Sequence, residues 1–208
     1  MGEMSQFAKN DGYIVTMAPA ESYVDVSTSR FSRYVNLTYA EDKWHQDFTY
    51  HGANVYAYVL AKWPDAIDLI SIQLYEGYSH ASYEINHLKS KSPSKYLIDY
   101  VMSIKSKGEG YVVNFEDDKS LNLKNSFVKI PMNKLLIGLA NGWAGNDKFL
   151  YIDAADVGVA YNELKERHDC EIRGFMFWVS CFKLLGLRWK NRRFSLLINA
   201  QKSLGSIY

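Results

Sequence analysis

Cysteine is scarce in this chain: two in 208 residues, Cys170 and Cys181, with neither a metal-binding spacing nor a disulfide framework. Both read as small apolar residues. Long apolar runs are missing too, and none approaches the roughly 20 residues a membrane-spanning helix needs. An excess of charge is also missing. The 24 Lys and Arg against 23 Asp and Glu leave a net charge of +1, which argues against wholesale nucleic-acid binding and against a polybasic membrane anchor. The stretch 1–10 has no apolar h-region, so no signal peptide is visible. His45, His51 and His80 are scattered without metal-ligand spacing and read as surface or loop residues. No metal or cofactor is expected, and there is no internal repeat or low-complexity tract. What is present is an ordinary globular composition, 48% hydrophobic, able to bury a real core. It is rich in aromatics, with 16 Tyr and 5 Trp. That richness reads first as core filling, and second as ring faces available to stack on sugars.

The chain alternates between two periodicities. Four short apolar runs read as buried strands: 13–18 (YIVTMA), 68–76 (DLISIQLYE), 134–140 (KLLIGLA) and 172–179 (IRGFMFWV). Between them lie helical patterns. One covers 53–63. A second starts at the N-cap Ser92 with Pro93 in the first turn and ends before Gly108, and a third starts at Asp153 and runs to about Arg167. A weaker helical pattern covers 188–203 and includes the basic cluster Arg188, Lys190, Arg192 and Arg193. Residues 111–115 and 126–130 read as a hairpin-like insertion with Asp117 and Asp118 near its turn. Strand–helix alternation implies parallel βαβ units. Four such strands make either a small open sheet or half of an eight-stranded barrel.

In both architectures sites form at the C-terminal ends of the strands, which here carry Met17, Gln73, Tyr75, Glu76, Asn141 and Trp178. Gln73 and Tyr75 are two apart and share one face of their strand. Gln73 can line a pocket or bond a neighbouring strand end, since a buried amide needs partners. Tyr75 and Trp178, taken singly, read as core residues; with Gln73 they describe a polar, aromatic pocket.

These strand ends, in order, resemble strands five to eight of glycoside hydrolase family 18, the chitinase family. YIVTMAP (13–19) resembles the fifth strand and DLISIQLY (68–75) the sixth, with its Gln-aromatic-Tyr ending. KLLIGLA (134–140) resembles the seventh, and GFMFWVS (174–180) the eighth. The resemblance implies an α/β fold of the (β/α)8 TIM-barrel family, with residues 1–187 covering approximately strands five to eight. Residues 188–208 are then an atypical basic helix or tail. It also implies that Tyr75 orients a substrate N-acetyl group, that Trp178 lies under the sugar at the cleavage site, and that Met17, Gln73, Glu76 and Asn141 line the pocket. The implied ligands are chitin or oligosaccharides containing N-acetylglucosamine, with no nucleic-acid or membrane partner. Exposed barrel edges would allow self-association. The family cleaves by substrate-assisted retention, using a glutamic acid that ends a D-x-x-D-x-D-x-E motif. No such motif occurs here, so the acid is expected just upstream of Met1. Glu21, with no acidic partner to raise its pKa, is not expected to replace it. The alternative is a non-catalytic, lectin-like carbohydrate-binding protein on the same scaffold; a third reading is an unrelated small α/β domain. Secretion follows if the parent protein behaves as the family does, and the sequon Asn36-Leu37-Thr38 mildly favours it.

Overall fold

The computed structural model describes residues 1–33, 53–144 and 149–178, which all fall in one unit, Met1–Trp178. The sequon, His45, His51, Cys181 and the basic segment lie outside the described residues. The elements are α1 (Gly2–Asn10), β1 (Thr16–Met17), α2 (Ala57–Lys62), β2 (Leu69–Gln73), α3 (His80–Ser82), α4 (Pro93–Lys105), β3 (Gly110–Val113), β4 (Ser126–Lys129), β5 (Leu135–Ala140), α5 (Ala154–His168) and β6 (Gly174–Trp178). The fold is mixed α/β. One sheet, ordered β1-β2-β5-β6, is parallel throughout, and β3 pairs with β4 antiparallel as a separate ribbon. Apart from that inserted ribbon, the spatial order repeats the chain order. The sheet therefore has no point at which the winding reverses, unlike a doubly wound sheet.

Local chemistry fixes the helices. Ser92 accepts a hydrogen bond from the Lys95 N–H at 3.3 Å, and Pro93 fills the first turn of α4, where its missing N–H costs nothing. Asp153 caps α5 by accepting from the Ala155 N–H at 2.7 Å. Asp169 ends that helix in the left-handed region at φ 45°. The Lys105 ammonium donates to the carbonyls of His168 and Asp169, joining the ends of α4 and α5 where a cation suits the helix dipole.

The two faces of the sheet differ. Ile70, Ile72 and Leu74 of the β2 segment and Leu135, Ile137 and Leu139 of β5 belong to one cluster with Leu97, Val101 and Ile104 of α4 and Val157, Ala160 and Leu164 of α5. Each such side chain, fully buried, contributes roughly 1.5–3 kcal/mol. The opposite face carries Ser71, Gln73, Leu136, Gly138, Gly174 and Met176 by register, and several of these are only half buried. The near-continuous apolar runs predict cover on both faces; among the described residues only one face is fully covered.

Three elements depart from their predicted bounds. β1 is just two residues long, and Tyr13 and Ile14 are 68% and 78% exposed rather than buried. The helix expected from Ala53 starts at Ala57, because Ala53 bridges Ser32 and Asn54 turns the chain at φ 54°. Residues 80–87 form a helical turn, α3 running into a π-helical turn at Tyr83–His87, that sequence periodicity does not reveal.

Candidate functional site

The open face of the sheet is layered. Register puts Ser71, Leu136 and Gly174 in one row across β2, β5 and β6, and Gln73, Gly138 and Met176 in the next. Above them, toward the C-terminal strand ends, Tyr75 packs against Ala140, and Ala140 is the register partner of Trp178. Small residues occupy the middle of the two upper rows. A Cβ on Gly138 would lie 3.1 Å from Gln73 Cα and 3.2 Å from Met176 Cε, so only glycine fits there without displacement. Ala140 is small and also bridges Tyr151. Ala144 and Phe149 close the cluster around Tyr75.

Tyr75, Gln73 and Trp178 thus share the face and the end of the sheet that the sequence predicts. Tyr75 is buried and Trp178 is 51% exposed. Gln73 takes the structural option, its Nε2 donating to the Ala18 carbonyl at 2.7 Å. Met17 does not join them. It is the register partner of Ile70 and packs in the helix-covered core, so it points away from the pocket face and is corrected to a core residue.

Glu76 follows Tyr75 at the rim, half buried. Burial holds its carboxyl above the usual range. Burial also pushes the Tyr75 hydroxyl up to about 12, and the Glu76 charge adds to that. Tyr78 moves the same way for the same two reasons, with smaller contributions from Tyr23 and Tyr75. Both phenols therefore stay protonated and able to donate at any ordinary pH. Asn141 follows β5, and its Oδ1 is buried without a hydrogen-bond partner among the described residues; an unfilled buried acceptor costs roughly 1–3 kcal/mol.

A second polar cluster lies behind the β1 and β2 ends. Glu21, in a 3-10 turn at Glu21–Val24, is 2% exposed. The Tyr96 hydroxyl donates to its Oε1 at 2.8 Å, and the Ala81 N–H to its Oε2 at 3.3 Å. Desolvation raises Glu21 to about 7, opposed by the His80 charge and the Tyr96 hydrogen bond and assisted by the charge of Asp25. Asp25, equally buried, accepts from the Ser27 hydroxyl at 2.6 Å and meets His80 Nε2 at 3.1 Å. Two expectations fall here. Glu21 has an acidic neighbour and a raised pKa, and His80 is a partly buried member of the cluster rather than a surface residue. Neither was legible locally, because the contacts join residues 55 to 75 positions apart.

Ser27, His80 and Asp25 do not form a nucleophilic triad. His80 uses the same nitrogen, Nε2, toward both Ser27 and Asp25, whereas a relay needs one nitrogen for each. Among the described residues no group of His, Cys, Asp and Glu could hold a metal ion. Cys170 is buried and free, as its reading as a small apolar residue requires.

No protein-family model matches this chain, and neither does any curated protein. Among solved structures, a glycoside hydrolase family 18 chitinase from Pseudoalteromonas aurantia aligns with a TM-score of 0.43 at 12% identity, over 86% of this chain and 48% of that one. The chain spans about half the length of the solved chain it matches.

Proposed function

We propose that the chain is a segment of a (β/α)8 barrel that binds β-1,4-linked N-acetylglucosamine at its C-terminal strand ends, in a protein that hydrolyses such polymers. The observation that carries this reading is the grouping of Tyr75, Ala140 and Trp178 at the C-terminal end of a sheet whose strands follow in chain order: a buried phenol in one cluster with Ala140, and a half-exposed indole that is the register partner of Ala140. Trp178 supplies a platform for the apolar face of a pyranose. Tyr75, held protonated, donates to an acetamido carbonyl. The buried Asn141 oxygen suits a hydroxyl or amide N–H, and Glu76 orients a further hydroxyl. In substrate-assisted cleavage the acetamido oxygen replaces the enzyme nucleophile of ordinary retaining glycosidases, so the task of Tyr75 is to align that oxygen beneath the anomeric carbon. Residues 1–187 belong to the barrel segment in this reading, and the proposed partners are chitin-type oligosaccharides.

Binding without turnover is the second reading, and Glu21 favours it. This acid follows β1 by four residues, but it is buried and committed to Tyr96 and Ala81. Two measurements separate the readings. Titration calorimetry with chitotriose should show binding that weakens by roughly 1–3 kcal/mol in Trp178→Ala, the usual loss of an aromatic platform. Release of a fluorescent aglycone from a chitobioside reports turnover, and binding without release selects the non-catalytic reading. No binding by the chain, or affinity unchanged in Trp178→Ala, overturns the sugar site.

A further inference from the structure

We propose that Glu21, Asp25 and His80 form a proton-operated latch that fastens the loop after β1 to the start of α3, tightest in acidic solution and loosened as the pH rises through neutrality. The proposal does not depend on the sugar reading.

The latch joins three parts of the chain. Glu21 and Asp25 belong to the loop that leaves β1. His80 and Ala81 begin α3, whose N-cap Ser79 is itself held by the Leu74 carbonyl at 2.7 Å. Tyr96 comes from α4. The loop meets α3 through its two carboxylates, Asp25 to His80 at 3.1 Å and Glu21 to the Ala81 N–H at 3.3 Å, and through the Ser27 hydroxyl, 3.3 Å from the same His80 Nε2. A cavity of about 260 Å³ lined by Val26, Ser27, Thr28, Lys107 and Tyr111 runs beside the loop. The loop's far side is fixed independently. Asn54 accepts from the Asp25 N–H and donates to the carbonyls of Thr28 and Arg30, so loosening is confined to the α3 contact.

The groups that face the cluster set the sign. From the loop come Glu21 and Asp25. From the α3 turn come His80 and Glu84. From α4 come the phenols of Tyr96 and Tyr100, and from β3 that of Tyr111. Two buried carboxylates thus share one partly exposed imidazole. With Glu21 protonated and His80 charged, Glu21, Asp25 and His80 together are neutral. Loss of the Glu21 proton leaves them at −1, and loss of the His80 proton at −2, in a site where desolvation penalises each uncompensated charge. Burial alone would lower the His80 pKa, but the Asp25 hydrogen bond and the charges of Glu21, Asp25 and Glu84 outweigh it and raise it. Both groups therefore bind protons more tightly in the closed cluster than in the unfolded chain. Linkage makes the closed state most favoured below the unfolded pKa values and progressively disfavoured as pH rises through the folded ones.

Hydrogen exchange on the full chain tests this, with rates converted to protection factors at each pH. Between pH 4.5 and 8, protection of the Ala81 and Ser82 amides should fall about tenfold or more relative to amides of α4, since each unit of pKa displacement is a tenfold change in equilibrium. The fall should flatten in Glu21→Gln, which cannot ionise. Protection that is independent of pH, or that falls equally in Glu21→Gln, overturns the proposal. Should Glu21→Gln not fold, the wild-type His80 ring titration by NMR decides. A midpoint above 6.5 that drops in Ser27→Ala and Tyr96→Phe by less than in Asp25→Asn supports the latch; a midpoint at or below 6.5 refutes it.

Discussion

Tyr75 shares a cluster with Ala140 at the C-terminal end of the sheet, and Ala140 is the register partner of Trp178, the phenol buried and the indole half exposed. The small residues beside them matter as much as the rings. Gly138, one layer below Ala140, leaves no room for a Cβ between the Ile72–Gln73 backbone of β2 and the Met176 side chain of β6. Alternation within β5 gives its other residues, Leu135, Ile137 and Leu139, to the core, so stability and site are divided between the two faces of the same strand.

Gly138→Ala should therefore be costly although it adds one methyl. The new Cβ would meet Ile72 O and Gln73 Cα at 3.1 Å, both backbone atoms that cannot swing aside, and Met176 Cε at 3.2 Å. Overpacking of this kind costs about 1–3 kcal/mol. Urea denaturation should show a lower midpoint with an unchanged slope.

Asn54 is predicted to be the most sensitive polar position outside the strand-end group. It is fully buried at φ 54°, and its side chain accepts from the Asp25 N–H and the Tyr111 hydroxyl while donating to the carbonyls of Thr28 and Arg30. Asn54→Ala strands two buried donors, each worth roughly 1–3 kcal/mol if left unpaired, and two part-buried carbonyls, in a left-handed conformation that alanine disfavours. Loss of a cooperative thermal transition is the expected result, and a Tm within a few degrees of wild type would contradict the network drawn here.

Met4 and Phe7 of α1 and its N-cap Met1 are spaced three apart and strongly exposed, as are Tyr13 and Ile14. Exposed apolar side chains of this size promote association, and β1 is an end strand of the sheet. Sedimentation velocity should reveal concentration-dependent association that Met4→Lys together with Phe7→Lys reduces.

The parts of this fold legible in sequence are those that local chemistry dictates. Leu69–Gln73, Leu135–Ala140 and Gly174–Trp178 announce themselves as apolar, β-rich runs, and Ser92-Pro93 and Asp153 mark helix starts that the structure reproduces. Period-two alternation correctly puts Gln73 and Tyr75 on one face. Met17 was misplaced because the parity of one strand relative to its neighbour depends on long-range register, here Met17 with Ile70, and no local pattern encodes it. The Glu21–Asp25–His80 cluster was missed for the same reason: each residue reads as an ordinary loop residue until the fold brings the β1 and β2 ends together. Its one local trace is the pair of carboxylates four apart at Glu21 and Asp25, a spacing too common to be informative by itself.

Tyr96→Phe should destabilise the protein by a pH-dependent amount. The Tyr96 hydroxyl donates to Glu21 Oε1 at 2.8 Å. A hydrogen bond to a charged acceptor contributes about 1.5–3 kcal/mol, against about 0.5–1.5 for a neutral one. Glu21 takes up its proton near pH 7, raised from 4.5 by burial. Below that pH the removed hydroxyl faced a neutral carboxyl and the loss is small; above it the loss is that of a bond to a buried carboxylate. Without the donor, the charged form loses support and the Glu21 pKa moves up further. The wild-type protein itself loses stability as pH rises between about 4.5 and 7, because the folded state holds a proton that the unfolded state has released. At 1.36 kcal/mol per unit of displacement this is of the order of 3 kcal/mol. The variant should track the wild type closely at pH 5 and diverge from it by pH 8.5, continuing to lose stability where the wild type has levelled off with respect to Glu21. Chemical denaturation at the two pH values checks it. An equal loss at both would mean that Tyr96 contributes through packing against Tyr100, whose ring it stacks at 6.3 Å, and not through the Glu21 carboxylate.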